Sequence, residues 1–198
     1  MKTVTIVGVG ALGSHVAQFL RNEAHLRVVD FDRVEAKNML SQFHGKPGGG
    51  KLKVEALKGA MQFLWGTKLD TRSSKLESNN VFTLLTGSDL VIDCLDNGEA
   101  RRLVQKFARG VVDHLPKFND RTPLLHGALA ADGAFGRVIW DEHFVIDDGS
   151  AGEPTCEDGE HLPFIVTVSS LIARSAQVFL KTGKKLGWSV APTNITLV

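Results

Sequence analysis

Gly8, Gly10 and Gly13 stand at G-x-G-x-x-G spacing, and Asp30 follows seventeen residues after the last of them. The chemistry such a set supports is the binding of a phosphorylated nucleoside. The first glycine allows a tight turn, the second lets a phosphate approach the backbone, and the third lets a helix pack closely on a strand. A carboxylate at that offset accepts hydrogen bonds from ribose hydroxyls. The competing reading is a glycine turn in an α/β protein that binds no nucleotide, and the order of the flanking elements weighs against it.

Those elements read as follows. Val4, Ile6 and Val7 form a short β-branched run, as a buried parallel strand requires. Leu12, Val16, Phe19 and Leu20 recur at helical spacing, so a helix N-terminus aims its free N–H groups at the turn, ready for an anion. Residues 26–29 form a second strand, which Asp30 ends. Residues 33–50 carry Asn38, Ser41, His44, Pro47 and three consecutive glycines, a loop over a pocket or a mobile segment. A helix is expected over about 51–65, with Ala56, Leu57, Ala60, Met61 and Leu64 on one stripe.

Further on, residues 68–75 suit a short strand, 81–86 a short helix, and 90–92 a buried strand ending at Asp93. A helix over 99–108 turns Leu103, Val104 and Phe107 inward, and 111–121 are ambiguous. Residues 123–130 and 133–140 read as a hairpin about Ala131-Asp132-Gly133. An acidic loop follows, with Asp147, Asp148, Glu153, Glu157, Asp158 and Glu160 and no Lys or Arg among them. Residues 163–181 make a long, mostly apolar helix expected to be well buried, and 195–198 a last edge strand. The fold class is α/β: a Rossmann-like, mostly parallel sheet with helices on both faces and antiparallel strands in the C-terminal half, in a single domain over 1–198.

Length and composition agree. A chain of 198 residues with 43% hydrophobic and 23% charged residues is that of a globular domain. A formal charge of +1 speaks against a general nucleic-acid or membrane-surface binder. No stretch is expected to span a bilayer, and no leader is expected ahead of the first strand. Cys94 and Cys156 are the only cysteines and form no C-x-x-C pair, which excludes a thiolate zinc site and suggests a reduced, cytoplasmic setting.

The glycines and Asp30 alone also suit a nicotinamide oxidoreductase, and the next stretches discriminate. Asp30-Phe31-Asp32-Arg33-Val34-Glu35, Asn38, Gln42, Gly50-Lys51-Leu52-Lys53-Val54-Glu55 and Asp93-Cys94-Leu95-Asp96-Asn97 follow in order. This series resembles the ThiF/MoeB/HesA family of adenylyltransferases, relatives of ubiquitin-activating enzymes, in a short form lacking the zinc cysteines. The resemblance runs over nearly the whole chain, with 123–140 like the family's strand pair. It implies activation of a carboxylate, usually the C-terminal glycine of a ubiquitin-like protein, by attack on the α-phosphate of ATP.

By the same resemblance Gly8, Gly10, Gly13, Asp30, Asp32, Asn38 and Lys53 bind the nucleotide, with Asp30 on the ribose and Asn38 on a phosphate oxygen. Lys53 neutralises charge on the phosphates, Asp96 holds Mg²⁺, and Cys156 is the acceptor thiol that some members carry. The implied partner is a small ubiquitin-like or sulfur-carrier protein ending in Gly-Gly, and the implied assembly a homodimer. Plainer readings stand beside these: Asn38 as a turn residue, Lys53 as a solvated helix charge, Asp96-Asn97 as a helix cap, and Cys156 as an inert loop thiol among carboxylates. Cys94 is read as packing, and His126 as a satisfied core or strand-end histidine.

Two departures bear on activity. The family's Asn-Leu-x-Arg-Gln here reads Asn38-Met39-Leu40-Ser41-Gln42, so a hydroxyl replaces a guanidinium. The N-terminal extension with which many members supply a second Arg across a dimer is also not in this sequence; Arg33, Lys46 and Lys51 are the candidate substitutes. A non-catalytic ATP-binding partner subunit is therefore the alternative to an active enzyme.

Overall fold

A computed structural model describes residues 1–111, 121–130, 134–146 and 159–198. The chain runs β1 (Thr3–Val7), α1 (Ala11–Leu20), β2 (His25–Val29), α2 (Lys53–Trp65), β3 (Asp70–Arg72), α3 (Val81–Leu85), β4 (Leu90–Asp93) and α4 (Gly98–Ala108). It continues with β5 (Leu124–Leu129), β6 (Gly136–Trp140), α5 (Leu162–Thr182), β7 (Trp188–Ala191) and β8 (Asn194–Leu197). The strands make one sheet in the order β3-β2-β1-β4-β5-β6-β7-β8. β1 to β5 pair in parallel and β6 to β8 antiparallel. The expected class is therefore observed.

The side-chain alternation of each strand builds two cores. Val4 and Ile6 of β1, Leu26 and Val28 of β2, Leu90 and Ile92 of β4 and Leu125 of β5 face α1, α2 and α5. Val7, Val29, Val91 and Leu124 face α3 and α4. With a period of two, neighbouring residues point to opposite faces, and so a near-continuous apolar run is what a sheet covered on both sides requires. Each fully buried Ile or Leu among them contributes about 1.5–3 kcal/mol relative to exposure.

Several elements depart from the sequence expectations. Residues 33–50 keep the expected loop over the strand ends but carry two elements that the sequence did not mark, short 3-10 turns at Ala36–Leu40 and Lys46–Gly48, and bury Asn38, Ser41 and His44. Leu64 is half exposed and lies outside the core that Leu57 and Met61 join. β3 is only three residues long, and β7 lies in a stretch with no assignment from sequence. The hairpin forms as β5 and β6, with its turn residues 131–133 outside the described residues.

The expectation that no stretch is long and apolar enough to cross a bilayer is corrected. α5 has 21 residues and a mean hydropathy of 1.4 over its best window, which meets that criterion by length and composition. One stripe of it, Ile165, Val168, Ile172, Ala173 and Ala176, packs on the sheet and α1, while the opposite side is only partly covered. The apolar composition is thus explained by core contact on one side, and the burial is less complete than expected.

Candidate functional site

Strand order reverses at β1, which has β2 on one side and β4 on the other. In an open α/β sheet, ligands bind in the crevice beyond the strand C-termini at such a switch point. The glycine loop lies there. Gly8 has φ +84°, and a Cβ on it would sit 2.9 Å from the Cys94 carbonyl oxygen, so only glycine lets the loop lie against the β4–α4 connection. A Cβ on Gly13 would overlap the Gly8 carbonyl oxygen. Gly10 has open space, with the Gln42 amide nitrogen 3.8 Å from its Cβ position, as expected where a ligand approaches the backbone. Gly10 is also the N-cap residue of α1 and provides no side-chain cap, leaving the first-turn N–H groups available.

Asp30 is tied into this loop. Its Oδ2 accepts the Val9 N–H at 2.8 Å and its Oδ1 the Asp32 N–H at 2.8 Å. Burial pushes its carboxyl above the usual value, against the pull of Lys53 and the two amide hydrogen bonds. Lys53, at the first position of α2, is only 9% exposed and donates from Nζ to Asp32 Oδ2 at 2.9 Å. It is not a solvated helix charge. Asn38 Oδ1 accepts the Glu35 N–H at 3.0 Å in a capping box, so its turn-residue reading is realised, with the residue buried beside the same crevice.

The segment after Asn38 docks on α1. His15 Nε2 meets the Ser41 carbonyl at 3.0 Å, and the Phe43 N–H donates to Ser14 Oγ at 2.9 Å. His44 Nε2 donates to the Val9 carbonyl at 2.9 Å. Burial holds His44 down to about 4, so it is neutral at pH 7 with its proton on Nε2. Ser41 Oγ, Gln42 Oε1 and His44 Nδ1 are buried with no hydrogen-bond partner among the described residues. Three unpaired polar atoms beside an uncapped helix N-terminus are what a polar ligand would satisfy. Of the candidate substitute cations, Arg33 donates to the Gly50 carbonyl at 2.8 Å, and Lys46 and Lys51 are exposed.

At the β4–α4 connection the structure separates Asp96 from Asn97. Asn97 Oδ1 accepts from the N–H groups of Glu99 and Ala100 at 2.9 and 3.1 Å and caps α4. Asp96 is exposed and takes no part in the cap. Among the described residues no cluster of three His, Cys, Asp or Glu forms a metal cage. A single exposed carboxylate on the connection that packs against the glycine loop is nevertheless a donor of the kind Mg²⁺ takes, since that ion is held by one or two carboxylates plus substrate oxygens and water. Burial raises the Cys94 thiol far above its usual value, in keeping with a packing role.

Sequence reasoning missed what lies beneath this loop. Asp93 is fully buried; its Oδ1 accepts the Leu95 N–H at 2.9 Å, and its Oδ2 accepts Arg101 Nη1 at 2.8 Å and His126 Nδ1 at 2.6 Å. His126 is a satisfied buried histidine, as expected, but its partners lie far off in the chain and no local pattern marks them. Cys156 and the acidic residues 147–158 lie outside the described residues. His161 immediately precedes α5 and, with Phe164, Thr167, Pro192 and Ile195, lines a groove of about 680 Å³ between α5 and the β7–β8 hairpin.

The chain is similar to known proteins in sequence and in fold. A Yarrowia lipolytica protein named adenylyltransferase and sulfurtransferase UBA4 is 27% identical over 191 residues, covering 92% of this chain and 46% of its own length. The SAMP-activating enzyme E1 of Haloferax volcanii is 32% identical over 133 residues, which is 64% of this chain and 45% of that protein. The chain thus spans less than half the length of these relatives. Among solved structures, E. coli MccB with AMPCPP and MccA superposes with a TM-score of 0.77 at 14% identity, covering 100% of this chain and 62% of that one. MccB with ATP gives 0.76, also at 14% identity with 100% of this chain covered and 62% of that one, and these likenesses speak for the fold. The ThiF family profile matches residues 1–183, and the chain belongs to the ThiF family.

Proposed function

We propose that this protein is an ATP-dependent adenylyltransferase that activates the C-terminal carboxylate of a small ubiquitin-like or sulfur-carrier protein ending in Gly-Gly, with Mg²⁺ as its metal. The observation that carries the reading is the linkage Lys53–Asp32–Asp30–Val9, which joins a buried cation to the glycine loop at an uncapped helix N-terminus. The names of the relatives, adenylyltransferases and modifier-activating enzymes, support it.

In this reading the free N–H groups of the first turn of α1 and the Ser41 hydroxyl donate to the phosphates, and Asp30 accepts from the ribose. A carboxylate oxygen of the carrier attacks the α-phosphorus; the bond from that phosphorus to the bridging oxygen breaks, and pyrophosphate leaves. Lys53 exchanges Asp32 for the charge developing on the phosphates, where a donor held in place beforehand is most effective. Asp96 would hold Mg²⁺, which supplies charge neutralisation when bound. Where Cys156 acts, its thiolate attacks the acyl carbon and releases AMP, leaving a thioester. The working unit is a homodimer in this reading.

The buried, unpaired Ser41 Oγ favours a second reading, because no guanidinium occupies that place: an ATP-binding partner subunit without turnover. Pyrophosphate exchange into ATP, dependent on a carrier with a free C-terminal glycine, tests both. Exchange establishes the enzyme. ATP binding without exchange for any Gly-Gly carrier rejects it for the partner subunit.

A further inference from the structure

His126 stands at the centre of a buried charge cluster that the proposed reaction does not use. Its ring is fully buried, with Nδ1 2.6 Å from Asp93 Oδ2 and Nε2 3.2 Å from Asp141 Oδ1. A carboxylate only accepts hydrogen bonds, so a ring facing one on each side needs two N–H groups. Only the imidazolium has both. Asp141 is ionised: hydrogen bonds from His126, Arg109 and Gln105 outweigh its burial and hold it down to about 2. Asp93 faces Arg101 as well, at 2.8 Å.

Every element around the ring contributes. β4 brings Asp93, and α4 brings Arg101, Gln105 and Arg109. The turn after β6 brings Asp141 and Glu142, with Lys185 paired to Glu142. Phe144 stacks on the imidazole with centroids 4.0 Å apart and 12° between the planes. The cluster also grips the loop above it. Asp93 Oδ1 accepts the Leu95 N–H, and Arg101 donates to the carbonyls of Leu95 and Gly127. Leu95 immediately precedes Asp96.

We infer that His126 is a positioning residue: as an imidazolium bridging Asp93 and Asp141, it keeps Asp93 turned onto the Leu95 amide, and the loop carrying Asp96 is held while His126 keeps its proton and slackens when it loses it. The chemical consequence is a Mg²⁺·ATP site that weakens as pH rises. That consequence rests on the nucleotide reading above, whereas the clamp itself does not.

The test uses nucleotide-free protein first. Nitrogen-15 NMR of the His126 ring should show both nitrogens protonated at pH 7. Exchange of the Leu95 amide, corrected for its intrinsic pH dependence, should accelerate about tenfold or more as His126 titrates. Asp141→Asn removes one anionic partner but keeps an acceptor, so the midpoint of both changes should move down by about one pH unit. Mg²⁺·ATP affinity measured by calorimetry should follow the same midpoint in both proteins. His126→Gln should exchange fast at every pH; Asp141→Asn carries the test if that variant does not fold. A neutral ring at pH 7, or a Leu95 profile that Asp141→Asn leaves in place, overturns the inference. A clamp that responds as expected in a protein with no Mg²⁺·ATP affinity upholds the clamp and overturns the nucleotide reading.

Discussion

Lys53 reaches out of the first turn of α2 to place Nζ 2.9 Å from Asp32 Oδ2, with the lysine side chain nearly buried and the carboxylate about half exposed. The pair keeps a cation next to the glycine loop without leaving it unpaired in the free protein. Because Asp32 is open to solvent, a phosphate can take over its role at small cost in solvation. Lys53→Ala should lower carrier-dependent pyrophosphate exchange by about 10²–10³ while the fold remains, the loss typical of one oriented donor. Asp32→Asn should lower unfolding free energy by about 1 kcal/mol in urea titrations, as expected for a half-exposed charged hydrogen bond.

Nucleotide choice is testable at Asp30. The protein should bind ATP in preference to NAD in calorimetry. Asp30→Ala should weaken ATP by about 1.5–3 kcal/mol, the loss of charge-assisted hydrogen bonds. Because Asp30 also accepts the Val9 and Asp32 amides, the same change should lower the melting temperature. Asp30→Asn, which still accepts, should recover part of that stability without the affinity. Equal affinity for NAD and ATP would refute the nucleotide assignment.

Asp96 and Asn97 should separate cleanly. Asn97→Ala removes the cap of α4 and should cost about 1 kcal/mol of stability. Asp96→Asn touches no cap and should leave the melting temperature unchanged while exchange collapses and ATP binding loses its dependence on Mg²⁺. Near-normal exchange in that variant rejects the metal role.

Stability should fall on both sides of about pH 6.5. His44 has a folded value near 4, below its unfolded value of about 6.5, so unfolding takes up a proton and stability drops as pH falls through that interval. His15, lowered by burial, acts in the same direction. For His126, burial pulls downward but its hydrogen bonds to the Asp141 and Asp93 carboxylates raise it overall; its stabilisation is complete below about 6.5 and is lost as pH rises through the folded value. Urea midpoints against pH should therefore show two limbs. His44→Asn should flatten the acid limb, and Asp141→Asn should pull the alkaline limb toward lower pH.

Cys156→Ser should divide the reaction into its two parts. Acyl-adenylate formation and pyrophosphate release should persist, since Asp30, Asn38, Lys53 and Asp96 are untouched. A thioester to the carrier, seen on non-reducing gels, should disappear, and in the unmodified protein it should form faster as pH approaches about 8.5, the ordinary thiol value. Adducts of equal yield in both proteins, or in neither, reject the acceptor role of Cys156.

The glycine loop, Asp30 and the α/β class were legible in the residues alone, because strand, turn, helix and strand are neighbours in sequence and make their contacts locally. Gly13 must be glycine for a contact only five residues back, with the Gly8 carbonyl. Long-range packing decided the rest. Lys53 looks like any helix lysine until the fold lays Asp32 across it, and Leu64 shares the stripe of Met61 yet stays half exposed outside the core. Ser41 and His44 sit in a polar, glycine-flanked stretch that periodicity reads as loop, and only their docking on α1 and on the glycine loop buries them. Asp93, Arg101, His126 and Asp141 meet because β5 pairs beside β4 and β6 returns antiparallel, bringing together groups 33 and 15 residues apart. Hydrophobic period reports which face a residue takes, but strand order and register determine which charges share that face, and those follow from packing the whole sheet.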